Sequence, residues 1–324
     1  MRGWLSKPGE NWWRSENGVR AGYRVLILLA LYIIIWYLFE GLNEIGIIPQ
    51  HVTLPYFLHV PKNDTAHQIA MDVRYFLSAF ITFSAEIFQF FNVVIPLLII
   101  AWFEGKSIWS YFLNRKKHFR FFLFGFLFAG LLRIHEYFLY KYPPYISHGD
   151  IVSAAIMIFI ACCLIGFSEE LMFRGYIQKT LKSFLGFWPA LVVSSLLFGV
   201  FHVSNLSFFT VIHHPFLTSS YVFSISCMGV FLCIGLRQMG TLWWPIGFHT
   251  AWDFVAKYMQ VNGSFNSTLP LKLVSDSHVA VSAPSPTIVM GIAFVFFGLF
   301  MLILTGLLML VKRAPRAMLV QNAS

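Results

Sequence analysis

The sequence predicts an all-α, polytopic membrane protein with about eight transmembrane helices. Three observations predict it. The first is composition: 58% of the 324 residues are hydrophobic and 11% are charged, where a soluble globular domain carries about 25% charged residues. The second is that the apolar residues gather in runs near the ~20 residues needed to span a bilayer. The third is that these runs, rich in Phe and Leu, show no alternating pattern of about ten residues, which excludes a β-barrel.

The runs fall at about 24–41, 76–102, 121–140, 151–168, 187–210, 217–236, 241–260 and 287–311. The run after the polar N-terminus is long enough to be an anchor rather than a cleavable signal. The third run holds Arg133, His135 and Glu136 near its end, read as an interfacial cluster. The net charge of +9 sits between runs, as loop charges do in a polytopic protein, so nucleic acid is excluded as a partner. With the N-terminus in the cytoplasm, all 23 Lys and Arg residues except Lys62, Arg74, Arg133, Lys141, Lys257 and Lys272 fall on the cytoplasmic side. That asymmetry predicts eight spans with both termini cytoplasmic. Outer loops are expected at about 42–75 and 261–286. Cys162, Cys163, Cys227 and Cys233 lie inside apolar runs at no zinc spacing and read as small packing residues. Asn63, Asn205, Asn262 and Asn266 open glycosylation patterns that matter only in a eukaryotic host.

Three regions follow: an N-terminal membrane region, 1–150, of about three helices; a core, 151–260, of about four helices; and 261–324, an outer loop with the last helix. In the first region Glu86 reads as lining a polar cavity or pairing with another helix. Polar residues at helical spacing concentrate in the core. An intramembrane ionisable residue is a functional site by default, and three segments carry such residues. Gly166-Phe-Ser-Glu-Glu-Leu-Met-Phe-Arg174 follows a strongly apolar run. Taken as α-helix, it sets Glu170 and Arg174 on one face, where they can pair. Glu169 is rotated by about 100° and is left without that partner. A carboxylate so placed in a low-dielectric site suits a general base or acid. Phe198-Gly-Val-Phe-His202 and His249-Thr-Ala-Trp-Asp253 each set two residues four apart on one face.

Length supplies a check on depth. A turn is expected at Gly186–Pro189. Folded there, Glu169 and His202 are each about 24 Å from the turn at 1.5 Å per residue. His249 lies about 12 Å into its own span. All three can meet in the cytoplasmic half of a bilayer core ~30 Å thick.

Glu-Glu-x-x-x-Arg, Phe-x-x-x-His and His-x-x-x-Asp, in this order on successive helices, resemble the CAAX prenyl protease and bacteriocin-processing family, also called the Abi family. The flanks Arg174-Gly-Tyr176 and Leu242-Trp-Trp-Pro-Ile-Gly-Phe-His249 agree. The resemblance covers about residues 150–260. It implies an intramembrane endopeptidase in which Glu169 and His202 activate a water. His249 and Asp253 would face the tetrahedral oxyanion, with Glu170, Arg174 and Phe198 supporting the site. The third motif often ends in Asn in that family. An ionised Asp253 only accepts hydrogen bonds, so its role stays open, with orientation of His249 as one alternative.

No cofactor is expected. The alternative is zinc on Glu169, His202 and His249, a set that a catalytic zinc can use with water as fourth ligand, although the usual His-Glu-x-x-His signature is absent. A second alternative is a non-enzymatic scaffold or immunity protein; a transporter would more often show repeats or broken helices, and the sequence shows none. The expected partners are membrane lipid and a peptide or protein substrate, with lipidated forms among the candidates. The expected location is the inner membrane in a bacterium or the endoplasmic reticulum in a eukaryote.

Overall fold

The structure is a computed structural model that describes residues 14–15, 18–19, 21–44, 65–111, 118–139, 150–206, 208–261 and 286–310. Two strands, β1 (Arg14–Ser15) and β2 (Gly18–Val19), form a minimal antiparallel ladder. The helices are α1 (Ala21–Glu44), α2 (Thr65–Glu104), α3 (His118–Leu139), α4 (Asp150–Glu170), α5 (Gln178–Leu185), α6 (Phe187–Phe201), α7 (Phe208–His213), α8 (Pro215–Met239), α9 (Trp243–Val261) and α10 (Pro286–Leu310). A π-helical segment, Leu171–Ile177, joins α4 to α5.

Each of the eight apolar runs overlaps a helix: α1 to α4, α6, and α8 to α10. Among the described residues, five stretches are long and apolar enough to cross a membrane: Phe83–Glu104, Val152–Leu185, Phe187–Asn205, Pro215–Met239 and Thr287–Leu310. A shorter apolar helix lies at Gly22–Leu38. The chain is an all-α, multi-pass integral membrane protein. Its side chains fit that solvent: Ile34, Phe119, Leu131 and Phe296 point outward, and Glu169, Glu170, Arg174 and His249 are buried.

Two local expectations need revision. The loop expected over 42–75 is helical at both ends, since α1 runs to Glu44 and α2 begins at Thr65. The run 187–210 is not one helix. It ends at Phe201, and His202–Asn205 is a 3-10 turn in which the Ser204 hydroxyl donates to the Phe201 carbonyl at 3.0 Å. Such local side-chain bonds compete with helix continuation. Arg133 reaches across to α9, while the side chains of His135 and Glu136, with which it was expected to cluster, and Asn63, Asn262 and Asn266, lie outside the described residues.

The chain packs as two compact units, one of Met1–Tyr111, Phe122–Met172 and Ile246–Asn266, the other of Phe112–Phe121, Phe173–Pro245 and Ser267–Ser324. In the first unit, α1 packs on α2 and α2 on α4. Lipid tails are as apolar as Leu, so membrane helices associate through close packing of small residues. Gly166 on α4 is one: a Cβ there would stand 2.9 Å from the Thr250 hydroxyl on α9. Gly247 is another, since a Cβ would collide with the Phe122 carbonyl of α3.

In the second unit, α8 packs against α6 and α10. Gly199 and Ser195 of α6 meet Ser226 and Gly229 of α8 backbone to backbone. Gly291 and Gly298 of α10 receive the rings of Phe216 and Phe223, and Gly235 receives Trp244. Gly186 turns α5 back into α6 with φ 79°, in the left-handed region that glycine enters at least cost. The turn falls where the sequence places it.

Candidate active site

Burial is continuous from Ser168 through Gln178. Two carboxylates, one guanidinium and the whole π-helical segment are therefore withdrawn from the surroundings together. π-helical turns appear mostly as single insertions at functional sites.

Within the first unit, α4 and α9 bring four predicted residues together. The close approach at Gly166 lies one turn before Glu169 and Glu170, opposite the residue that follows His249. The Nδ1 of His249 lies 3.0 Å from Oε1 of Glu170. A carboxylate accepts, so Nδ1–H donates, and this bond turns Nε2 to the other side of the ring. Nε2 faces Oδ2 of Asp253 at 3.5 Å and Oε2 of Glu169 at 3.7 Å. Three carboxylates thus surround one buried imidazole. His249, Glu169 and Glu170 are each less than 5% exposed, while Asp253 keeps 22% of its side chain exposed.

α9 is held from two further helices. Arg133 of α3 donates to the Trp252 carbonyl at 2.8 Å, and its guanidinium lies 4.5 Å from the centre of the Trp252 ring. Lys257 forms an ion pair with Glu86 of α2. Glu86 is thus paired with another helix, one of the two readings its position allowed.

Within the second unit, Arg174, Phe198 and His202 form a second constellation. The Arg174 guanidinium lies 4.1 Å from the centre of the Phe198 ring and donates to the Gly229 carbonyl at 3.4 Å. A desolvated cation on an aromatic face stabilises by about 2 kcal/mol. Phe173 packs edge-on against Phe198, with ring centres 5.0 Å apart. His202 caps α6: its Nδ1 is 2.8 Å from the Phe198 carbonyl. A carbonyl only accepts, so Nδ1 carries the proton. In the neutral ring, Nε2 then holds the lone pair that a base or a metal ligand needs. The four-residue spacing from Phe198 to His202 therefore serves a backbone bond as well as a shared face.

Sequence spacing named all seven residues of these two constellations. It missed Glu170 as the partner of Nδ1 of His249, and it missed Lys257. The signal for Lys257 was present, because His249, Asp253 and Lys257 recur every four residues. Cys162, Cys227 and Cys233 are buried free thiols and Cys163 is half-buried, as packing residues would be.

Comparison with curated proteins gives no match, and comparison with solved structures gives none. Residues 151–255 match the family model described as type II CAAX prenyl endopeptidase Rce1-like. The match spans all three motifs and both constellations up to Asp253.

Proposed function

We propose that the protein is an intramembrane endopeptidase that hydrolyses a peptide bond with a water activated by Glu169 and His202. The observation that carries the reading is the buried imidazole of His249 with Glu170 on Nδ1 and with Glu169 and Asp253 facing Nε2. Peptide hydrolysis needs a base for the water and a donor where negative charge develops. Glu169 supplies the base, with the Nε2 lone pair of His202 beside it. His249 supplies the donor, oriented by Glu170. Asp253 accepts rather than donates, so its part is to hold His249. Arg174 and Phe198 fix the end of α6 that carries His202. The substrate is a membrane peptide or protein, with prenylated C-termini among the candidates, and lipid surrounds the site.

One observation favours a zinc-dependent form of the same enzyme. A ligating histidine commonly donates its other ring N–H to a carboxylate, and Glu170 stands in that position. Oε2 of Glu169 and Nε2 of His249 are 3.7 Å apart, close to the separation of two ligands each ~2.0–2.2 Å from one zinc. Glu169, His249 and His202 would hold the ion, which would supply a water acidified for attack.

The deciding experiment is cleavage of a panel of lipidated and unlipidated membrane peptides by the purified protein in detergent, beside Glu169→Ala and His202→Ala. Cleavage lost in both variants, with melting temperature kept, supports the reading. Cleavage untouched by both sinks it. Absence of cleavage by the wild type favours the scaffold reading. Activity that survives a strong chelator separates the water-only form from the zinc form.

A further inference from the structure

Lys257 and Glu86 lie outside all three motifs, and they form an ion pair between α9 and α2. The pair is well withdrawn, with side chains 25% and 13% exposed. Along α9, His249, Asp253 and Lys257 stand four residues apart and share a face. Asp253 is the middle member. Its Oδ2 is 3.5 Å from Nε2 of His249, and Lys257 follows it by one helical turn. Charges withdrawn from water persist when they are paired. In this unit Glu86 meets the ammonium of Lys257, and Glu169, Glu170 and Asp253 face the imidazole of His249. Glu170 already holds Nδ1 of His249. Lys257 is therefore the cation that stands next to Asp253 on the same helix face. An ammonium is a compact point charge on a flexible stem, which lets one Lys serve two carboxylates on different helices.

We propose that Lys257, anchored by Glu86, is a positioning residue whose charge holds Asp253 against His249, so that α2 takes part in the active site. This rests on the reading of His249 and Asp253 as the oxyanion side of a protease. The competing account is that Lys257 and Glu86 only fasten α2 to α9. The two accounts differ in which second substitution relieves the loss of Lys257.

The test compares the full-length protein in detergent with Lys257→Met, Lys257→Arg, Lys257→Met with Asp253→Asn, and Lys257→Met with Glu86→Gln. The readouts are kcat and KM on the peptide that the wild type cleaves, and the melting temperature. Misplacement of a catalytic group by about 1 Å costs ~100-fold, so Lys257→Met is expected to lower kcat by about 10- to 100-fold at unchanged KM. Asp253→Asn in that background is expected to restore kcat at least in part, because a neutral amide needs no counter-charge. Glu86→Gln is expected to restore less, and Lys257→Arg to keep most of the activity. Relief by Glu86→Gln but not by Asp253→Asn overturns the proposal, as does a Lys257→Met enzyme with normal kcat. If the wild type cleaves nothing, the protease reading fails on its own. The melting temperatures then decide this proposal by the same comparison: recovery with Asp253→Asn supports it, and recovery with Glu86→Gln alone refutes it.

Discussion

A single methyl group at Gly166 tests whether the spacing of α4 and α9 sets the site. A Cβ built there lies 2.9 Å from the Thr250 hydroxyl, 3.1 Å from the Thr250 backbone nitrogen and 3.3 Å from the Ile246 carbonyl. Ordinary contact begins near 3.4 Å. The hydroxyl can rotate away, whereas the backbone atoms can yield only if α9 retreats, by about 0.3 Å. That retreat would lengthen the 3.0 Å contact between Glu170 and His249 to about 3.3 Å, past the usual range for such a bond. In Gly166→Ala, the gain of about 0.5–1 kcal/mol from removing a helical glycine offsets part of an overpacking cost of about 1–3 kcal/mol. Melting temperature should therefore change little, while kcat falls by about 10-fold, a fraction of the ~100-fold attached to a 1 Å displacement. Gly166→Val places two further carbons against the same backbone and should lose both stability and at least ~100-fold in kcat. Cleavage rates and thermal melts of the three proteins in one detergent decide the matter. A Gly166→Val protein that melts and cleaves like the wild type would refute the idea that this contact positions Glu170.

Two further outcomes are expected. Arg174→Lys keeps the charge but loses the planar stack on Phe198 and the fork aimed at the Gly229 carbonyl. It should lower stability by about 1–2 kcal/mol, read as a fall in melting temperature, and lower cleavage because Phe198 holds His202. Gly199→Ala drives a Cβ into Ser226 and the Val222 carbonyl on α8. It should cost about 1–3 kcal/mol, with the thermal melt as the check and Ser226→Gly as a partial suppressor.

The five spans found among the described residues were legible because a bilayer imposes a long apolar run on each of them, and composition alone reveals such runs. The members of the two constellations were legible because four-residue spacing marks a helix face. The partners were less legible. Glu170 meets Nδ1 of His249, 79 residues away in the chain, and the π-helical segment begins just after Glu170 with nothing in the apolar string Leu171-Met-Phe to announce it. The contact between Lys257 and Glu86 joins residues 171 apart in the chain, and no local pattern encodes it. The end of α6 at Phe201 was hidden by the apolar residues that continue past His202.

The π-helical segment bears on how the chain tolerates change. Its seven residues, Leu171–Ile177, are all buried. A π-helical turn holds one residue more than the α-helical turn it replaces. Loss of one residue here would let the ladder close as α-helix with the phase of the flanking helix kept. Loss of one residue within the regular part of α4 would instead rotate the residues on either side of it by about 100° relative to each other. The segment is thus a place where this helix can shorten by one residue without turning its faces.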